Sequence, residues 1–247
     1  MSSTPTLEDQ RQFWNSHWQR AEERRVLNPW TERRALTILQ TIRDLPIQRP
    51  GILDCGCGHG WFTERLADAN PREVWGIDLS PDAIAMAKSR RPHIRYIAGD
   101  VCQTSLPNGY FDVVVSQEVI AHVENQPKYI EKASKLLKAG GYLVITTGNK
   151  FVMDRLGNVG WNQYPSEHIE NELSRQQMKR LLRPYFRILW LRTIIPQGTK
   201  GILRVVNSYR LASLLTPLIE QTKLEEIKER AGFGWQMVIL AQKKAID

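Results

Sequence analysis

A glycine-rich segment that follows a short apolar stretch near residue 50 offers the clearest chemistry in the sequence. Residues 52–60 read Ile-Leu-Asp-Cys-Gly-Cys-Gly-His-Gly, and glycines at such a strand-to-helix turn let a ligand approach the backbone closely. The spacing is G-x-G-x-G, whereas dinucleotide binders use G-x-G-x-x-G. The Asp54 carboxylate, just before the glycines, repels a phosphate and accepts hydrogen bonds from an ammonium group. The segment therefore predicts a ligand with a cationic amino-acid end.

Two further acids end the next two predicted strands. Asp78 follows Gly60 by 18 residues, at a position where a carboxylate can bind both ribose hydroxyls of an adenosine. Asp100 can accept a hydrogen bond from the adenine amino group, with Leu79 and Val101 on the two faces of the ring. Each acid also has a structural interpretation, Asp78 as the N-terminal acid of the next helix and Asp100 as a turn cap.

Strand and helix patterns alternate after residue 50 and predict the scaffold that positions these side chains. Apolar runs predict strands over residues 52–55, 74–78, 94–98, 111–116, 142–147, 186–194 and 235–242. Helical patterns separate most of them, over residues 61–69, 81–90, 125–138 and 174–182. This alternation is typical of an α/β fold with a doubly wound parallel sheet, in which ligands bind at the carboxyl ends of the strands.

Additional helices flank the predicted sheet. Residues 1–50 predict a helix over 7–25 and a second over 31–45, with Thr31 as its N-cap. The connections 148–173 and 196–234 are long, and the second contains helical patterns over 201–215 and 217–231. Since long loops in compact domains usually carry function, we expect residues 1–50 to form a helical lid on a domain of residues 51–247, with further helical lids in both insertions.

Five motifs, in order along the chain, make it similar to the class I S-adenosylmethionine (SAM)-dependent methyltransferases. They are the glycine loop at 54–60, Asp78, the Gly-Asp pair at 99–100, Phe-Asp-Val-Val-Val-Ser at 111–116 and Leu-Lys-Ala-Gly-Gly-Tyr-Leu at 137–143. The resemblance covers residues 14–149. It implies a Rossmann-like, seven-stranded sheet whose last strand inserts antiparallel between strands five and six.

The resemblance also implies a donor site for SAM and for its product, S-adenosylhomocysteine. The residues that it places around the donor are Asp54, Gly56, Cys57, Gly58, Asp78, Leu79, Asp100, Val101 and Gln117. No metal site is expected. Many relatives that act on small molecules have a Glu-His pair after the fourth strand, whereas this chain has Ala121-His122. A role that depends on that acid is therefore not carried over to this chain.

Candidate acceptor-site residues come from three parts of the chain. His122, just beyond the fourth strand, is the first candidate for a general base, and His168 in the first insertion is the second. Both histidines also have structural interpretations, at a helix start and in a surface loop. We expect an acceptor pocket shaped by Trp14, Trp18, Trp161 and Tyr164. Trp14 and Trp18 share a helix face, which could instead pack on the domain.

Charge is concentrated in the last third of the chain. The whole sequence has 34 Lys and Arg against 26 Asp and Glu, a formal charge of +8, and residues 173–219 contain nine basic residues and no acid. This block predicts either a weak contact with an anionic membrane or an acidic carrier, or an ordinary solvated face. The helical pattern over 201–215 interleaves Arg204 and Arg210 with apolar residues, as in helices that lie on membranes.

Four functions fit these features to different degrees. A methyltransferase enzyme that acts on a small molecule or lipid precursor, at oxygen or nitrogen rather than carbon, is favoured. A nucleic-acid methyltransferase that uses residues 173–219 is an alternative. However, residues 116–119 read Ser-Gln-Glu-Val instead of the Asn-Pro-Pro-aromatic tetrapeptide of base N-methylation, so nucleic acid is not the expected partner. A non-enzymatic SAM-binding protein is a further alternative, and the glycine spacing disfavours a nicotinamide dehydrogenase.

Three observations bear on location. The chain has no run of about 18 uncharged apolar residues that could span a membrane, and its first residues do not resemble a secretory signal. Its three cysteines fit neither a disulfide framework nor a zinc site. We therefore expect a cytoplasmic enzyme, with the basic block as a candidate for peripheral membrane contact.

Overall fold

The computed structural model describes residues 5–23, 28–156, 169–215, 217 and 219–245. In these residues the strands are β1 Gly51–Cys55, β2 Glu73–Asp78, β3 Arg95–Ala98, β4 Phe111–Gln117, β5 Leu137–Gly148, β6 Phe186–Pro196 and β7 Gly234–Lys243. The α-helices are α1 Leu7–Glu23, α2 Pro29–Arg43, α3 Trp61–Asp68, α4 Pro81–Arg90, α5 Gln126–Leu136, α6 Lys150–Met153, α7 Arg175–Leu182, α8 Ile202–Val206, α9 Tyr209–Leu215 and α10 Gln221–Ala231.

All seven strands form one sheet in the order β3-β2-β1-β4-β5-β7-β6. Strands β1 to β5 run parallel, and β7 pairs antiparallel with both β5 and β6. The predicted doubly wound fold with an antiparallel last strand between the fifth and sixth is therefore confirmed. Because β7 runs in the opposite direction, its first residues lie at the carboxyl edge of the parallel strands, where Gln236 pairs with Gly148 of β5.

Apolar side chains cover both faces of the sheet. On one face, Ile38 and Ala35 of α2 pack against Val113 and Val115 of β4. On the other face, Ile130 of α5 belongs to a buried cluster with Leu53 of β1 and Val114 of β4. Each of these isoleucine and valine side chains contributes about 1.5–3 kcal/mol on full burial. The buried Val-Val-Val run of β4 thus reflects its place in the middle of the sheet.

Helix ends follow local capping chemistry. Ser80 caps α4, because its side chain accepts a hydrogen bond from the Ala83 amide. The predicted N-cap Thr31 is wrong, since α2 begins at Pro29 and the Asn28 side chain accepts the Trp30 amide at 3.0 Å. Asparagine at the N-cap followed by proline at the first helical position is the stronger signal.

Two other element boundaries differ from the sequence prediction. The helix predicted over residues 125–138 ends at Leu136, and β5 begins at Leu137 because that residue pairs with Phe111 of β4. The single helical pattern predicted over 201–215 is two short helices, α8 and α9. The turn between them includes Asn207.

The insertion at 196–234 packs on the outer part of the sheet. Leu203 of α8 is buried with Val152, Leu156 and Trp235, while α10 packs against β6, where Thr193 donates a hydrogen bond to the Glu229 carbonyl. The α8 and α9 surface exposes four large apolar side chains: Ile202, Val205, Tyr209 and Leu214. Among the described helices, none is long and apolar enough to cross a membrane.

Candidate functional site

The glycine loop forms a tight turn from β1 into α3. Gly56, Gly58 and Gly60 all have positive φ angles, between 52° and 85°, a conformation that residues with a β-carbon rarely adopt. The amides of Gly56 and Cys57 both donate to the Ile77 carbonyl of β2. These bonds fix the loop against the end of β2, so its backbone lines the edge of the sheet where the predicted donor residues meet.

Asp78 connects β2 to this loop. One carboxylate oxygen accepts the Gly58 amide at 2.7 Å and the other accepts the Ser80 amide at 2.9 Å. Burial raises the pKa of Asp78, although these amide hydrogen bonds act in the opposite direction. The carboxylate therefore has the structural role of holding the loop, and it also lines the cavity described below. Its binding of a ribose stays a prediction.

Asp54 is the second buried acid beside the loop. Its carboxylate accepts a hydrogen bond from the Thr63 hydroxyl at 2.7 Å, and only 1% of the residue is exposed. Burial and the nearby charge of Asp78 raise the pKa of Asp54 to about 7, against the lowering effect of the Thr63 bond. An arriving cation would be stabilised by the ionised form of this carboxyl group.

The predicted adenine-binding residues lie together beyond β3. Asp100 accepts the Cys102 amide at 2.8 Å and the Gln103 side-chain amide at 3.0 Å, which is the turn-cap role recognised as an alternative. Leu79, Asp100 and the buried Val101 all line the same cavity. The geometry therefore brings these three residues together as predicted, whereas contact with adenine itself stays a prediction.

One cavity of about 920 Å³ joins the predicted donor residues to residues of α1 and of the segments that follow β4 and β5. This volume is near the upper end of the range for small-molecule sites, roughly 300–1,000 Å³. Trp14 and Trp18 line it as predicted. The Trp18 indole covers Gly58, where a β-carbon would collide with the ring. Helix α1 is held by Asn15, which hydrogen-bonds Ser80 at the start of α4 at 2.5 Å.

His122 lies in a short 3₁₀ turn, Ile120–His122, after β4 and faces the same cavity. Its Nδ1 is 2.9 Å from the Ile169 carbonyl oxygen, which can only accept a hydrogen bond. The proton therefore resides on Nδ1 in the neutral ring, and Nε2 is the basic nitrogen. The Trp14 ring lies 4.9 Å away at a steep angle. This geometry suits the predicted general base.

A polar network at the end of β4 joins Gln117 to Arg34 and Glu118. The sequence prediction did not single out Arg34 and Glu118 as a pair. The Gln117 side-chain oxygen accepts a hydrogen bond from Arg34 of α2 at 2.7 Å, and Arg34 is 3.8 Å from the Glu118 carboxylate. Glu118 has a φ of 57°, and its carboxylate accepts the Thr146 hydroxyl at 2.7 Å. A strained, non-glycine residue at such a position is typical of functional sites.

Glu172 and Gln236 also line the cavity, and the sequence prediction missed both. Neither Gln236 amide atom, nor Glu172 Oε2, has a hydrogen-bond partner among the described residues. Burial and the carboxylates of Glu118 and Glu170 raise the pKa of Glu172 to about 8. In the sequence, the position of Gln236 beside the apolar run of β7 was the signal that could have marked it as a candidate site residue.

The remaining predictions concern other parts of the chain. Trp161, Tyr164 and His168 lie outside the described residues. No described residue between 173 and 234 lines the cavity, so the described basic side chains of the 173–219 block lie away from it. In the described part of the chain, the cavity walls away from the glycine loop come instead from α1, α2, the 3₁₀ turn, residues 169–172 and the start of β7.

Comparison with known proteins agrees with this arrangement. The family described as "Methyltransferase domain" matches residues 53–145. A probable SAM-dependent methyltransferase of Mycolicibacterium smegmatis is 30% identical over 99 residues, which cover 40% of this chain and 38% of the relative. The mitochondrial ubiquinone biosynthesis O-methyltransferase of Dictyostelium discoideum is 31% identical over 134 residues, covering 49% and 42%. The matches thus span about two fifths of these curated relatives.

A solved structure extends the likeness beyond the matched segment. The SAM-dependent methyltransferase of Mesorhizobium loti superposes with a TM-score of 0.60 at 21% identity, over 83% of this chain and 96% of that one. At this identity the likeness shows the fold, and the fold agrees with the strand order and the glycine loop described above. Residues 53–145 thus match a methyltransferase domain, and the chain shares the fold of that SAM-dependent methyltransferase.

Proposed function

We propose that this chain transfers the methyl group of SAM to an oxygen or nitrogen atom of a small-molecule or lipid-precursor acceptor. The observation that supports this most directly is that one continuous cavity of about 920 Å³ adjoins both the glycine loop and His122 in the described part of the chain. Methyl transfer from a sulfonium is a displacement that needs the two reactants held in line in a site shielded from water. A cavity lined by both groups of residues can provide that arrangement.

The donor half of the cavity suits the charge of SAM. The ligand has a cationic sulfonium and an ammonium group, and two buried carboxyl groups, Asp54 and Asp78, adjoin the loop. We assign Asp54, Gly56, Cys57 and Gly58 to the methionine end, and Asp78 to the ribose. Leu79, Asp100 and Val101 are assigned to the adenine, and Gln117 lies beneath the donor.

The acceptor half suits an uncharged or cationic molecule that must lose a proton. His122 presents Nε2 as a base, because the Ile169 carbonyl holds the proton on Nδ1. A general base in such a position typically accelerates transfer about 10²–10⁴-fold. Trp14 and Trp18 line the cavity and present apolar ring surface to a bound molecule.

Two experiments test the proposal. Calorimetry with SAM and S-adenosylhomocysteine should show binding that weakens about tenfold or more in Asp78→Ala, because a charge-assisted hydrogen bond in a closed site is lost. Labelled SAM should then transfer its methyl group to members of a panel of phenols, amines and acyl carriers. His122→Ala should lower this rate while donor affinity stays unchanged. Absence of donor binding in the wild-type protein would refute the proposal.

We also propose that the α8 and α9 surface makes a weak contact with anionic membranes. Tyr209 and Leu214 are 86% and 72% exposed, and Arg204 and Arg210 are also exposed. Each basic residue near an anionic surface contributes about 1 kcal/mol. Vesicles that contain anionic lipid should therefore retain the protein at low salt and release it at high salt. Equal retention by Arg204→Glu/Arg210→Glu would contradict this assignment.

A further inference from the structure

A compact polar subsite lies where β5 and β7 end at the carboxyl edge of the sheet. Gly148 and Gln236 are paired across the two strands. The Glu172 carboxylate oxygens lie 2.5 and 2.7 Å from the point where a β-carbon on Gly148 would be. A β-carbon on residue 148 would displace the Glu172 carboxyl group, so this carboxyl group lies directly against Gly148, and the three residues form one wall of the cavity.

The polar atoms of this wall lack partners in the described part of the protein. Gln236 is fully buried, yet neither its amide oxygen nor its amide nitrogen has a hydrogen-bond partner there, and Glu172 Oε2 is shielded from solvent in the same way. More than about 90% of buried polar groups in proteins are hydrogen-bonded. Two unsatisfied groups side by side on the wall of a ligand cavity indicate that a ligand supplies the missing hydrogen bonds.

The surroundings determine which charge that ligand carries. The charged groups that act on Glu172 are the acids Glu118, Glu170 and Asp154 and one base, Lys150. Arg34, which lies 3.8 Å from Glu118, is a second base near the subsite, so these acids outnumber the bases by three to two. An anionic acceptor would be repelled here and a cationic one attracted.

Aromatic and sulfur groups complete the lining. The Trp30 and Trp235 rings lie 5.8 Å apart in an edge-to-face arrangement, and the Trp235 indole N–H donates to the Met153 sulfur at 2.6 Å. All three side chains line the cavity. Aromatic faces attract cations through their quadrupole, most strongly where water is excluded.

We propose that Glu172 and Gln236 bind the amino group of an amine-bearing acceptor, with the amine N–H groups donating to the Glu172 carboxylate and to the Gln236 amide oxygen. This inference rests on the proposed methyl transfer and specifies the chemical class of its acceptor. Because burial raises the pKa of Glu172 to about 8, an ammonium group that binds beside it at pH 7 favours its ionised form. Binding therefore releases a proton to solvent.

Calorimetry on protein saturated with S-adenosylhomocysteine tests this proposal. The probes are 2-phenylethylamine, 2-phenylethanol and 3-phenylpropionate, which present a cation, a neutral hydroxyl and an anion on similar frames. We expect the amine to bind about tenfold or more tightly than the anion. Repeating the titration at pH 7 in buffers of different ionisation enthalpy should show release of up to about one proton per amine bound.

Variants separate the two side chains from the rest of the cavity. Glu172→Gln should lower amine affinity about tenfold and abolish proton release, and Gln236→Met should lower amine affinity while proton release persists. The control is Glu226→Gln on α10, which does not line the cavity and should leave amine binding unchanged. Melting temperatures of all variants establish that each is folded.

The outcomes are distinguishable from failure of the proposed function. If S-adenosylhomocysteine does not bind, the proposed methyl transfer is refuted together with this inference. If it binds and the amine shows no preference over the anion, the acceptor class is wrong while the methyltransferase proposal stands. Proton release that persists in Glu172→Gln would also overturn the assignment, because another group would then be the one that ionises.

Discussion

Replacing Gln236 with methionine should stabilise this protein, although most substitutions in a buried strand destabilise. The Gln236 side chain is fully buried, and neither of its amide atoms has a hydrogen-bond partner among the described residues. A buried polar group without a partner costs about 1–3 kcal/mol. Methionine has a similar length and no polar group to desolvate, so Gln236→Met should raise the free energy of unfolding by about 1–3 kcal/mol. For a chain of this size each kcal/mol shifts the melting temperature by about 2–4 °C.

A second glutamine on the same strand provides the matched control. The Gln242 side-chain nitrogen donates to the Gly140 carbonyl at 2.9 Å and to the Tyr142 hydroxyl at 3.2 Å. Gln242→Met removes satisfied hydrogen bonds and should lower the free energy of unfolding by about 1 kcal/mol. Equilibrium denaturation in urea, with and without S-adenosylhomocysteine, measures both variants under the same conditions. The two substitutions should therefore act in opposite directions.

The result that would refute this reasoning is a loss of stability in Gln236→Met equal to or greater than that in Gln242→Met. Such a loss would mean that the Gln236 amide is already hydrogen-bonded in the protein without ligand. The interpretation of this side chain as an unsatisfied ligand group would then fail with it.

Three further outcomes are expected. Gly58→Val should abolish SAM binding in calorimetry while the far-UV circular dichroism stays native, because a side chain there meets the Trp18 ring and the φ of 52° disfavours valine. SAM affinity should fall as the pH drops below about 7, where Asp54 becomes protonated, and Asp54→Asn should lose this dependence. The folded-state pKa of Glu172 is raised from 4.5 to about 8, so folding loses stability as the pH rises between these values. Urea denaturation of Glu172→Gln should show a flatter pH profile over that range, and an unchanged profile would contradict the assigned pKa.

The scaffold was predictable because its signals are local. Each glycine of the loop, the Ser80 cap and the Val-Val-Val run of β4 can be read within a few residues of the chain, and the resemblance supplied the strand order. The errors arose where tertiary pairing overrides local pattern. The local sequence pattern predicts that the helix continues through Leu137 and Lys138. In the structure Leu137 is instead the first residue of β5, because it pairs with Phe111 of β4.

The acceptor side of the cavity was less predictable because it depends on residues far apart in sequence. Arg34 reaches Gln117 from α2, a separation of 83 residues. Gln236 becomes a cavity residue only through the reversed direction of β7, which periodicity within one strand does not reveal. Glu172 reads as an ordinary surface acid until the fold places it against Gly148. Local patterns specify elements well, whereas a site shared among elements requires their arrangement.

The strand order also governs how the chain can fold as it is synthesised. The sixth strand in sequence, β6, pairs with β7 alone among the described strands, and β5 has an open edge until β7 inserts beside it. A nascent chain therefore exposes two unpaired strand edges until residues 234–243 leave the ribosome. Open edges are templates for pairing with other chains, so the chain is prone to such pairing during this interval. Since Trp235 and Gln236 belong to that same strand, the insertion of β7 completes both the sheet and this wall of the cavity.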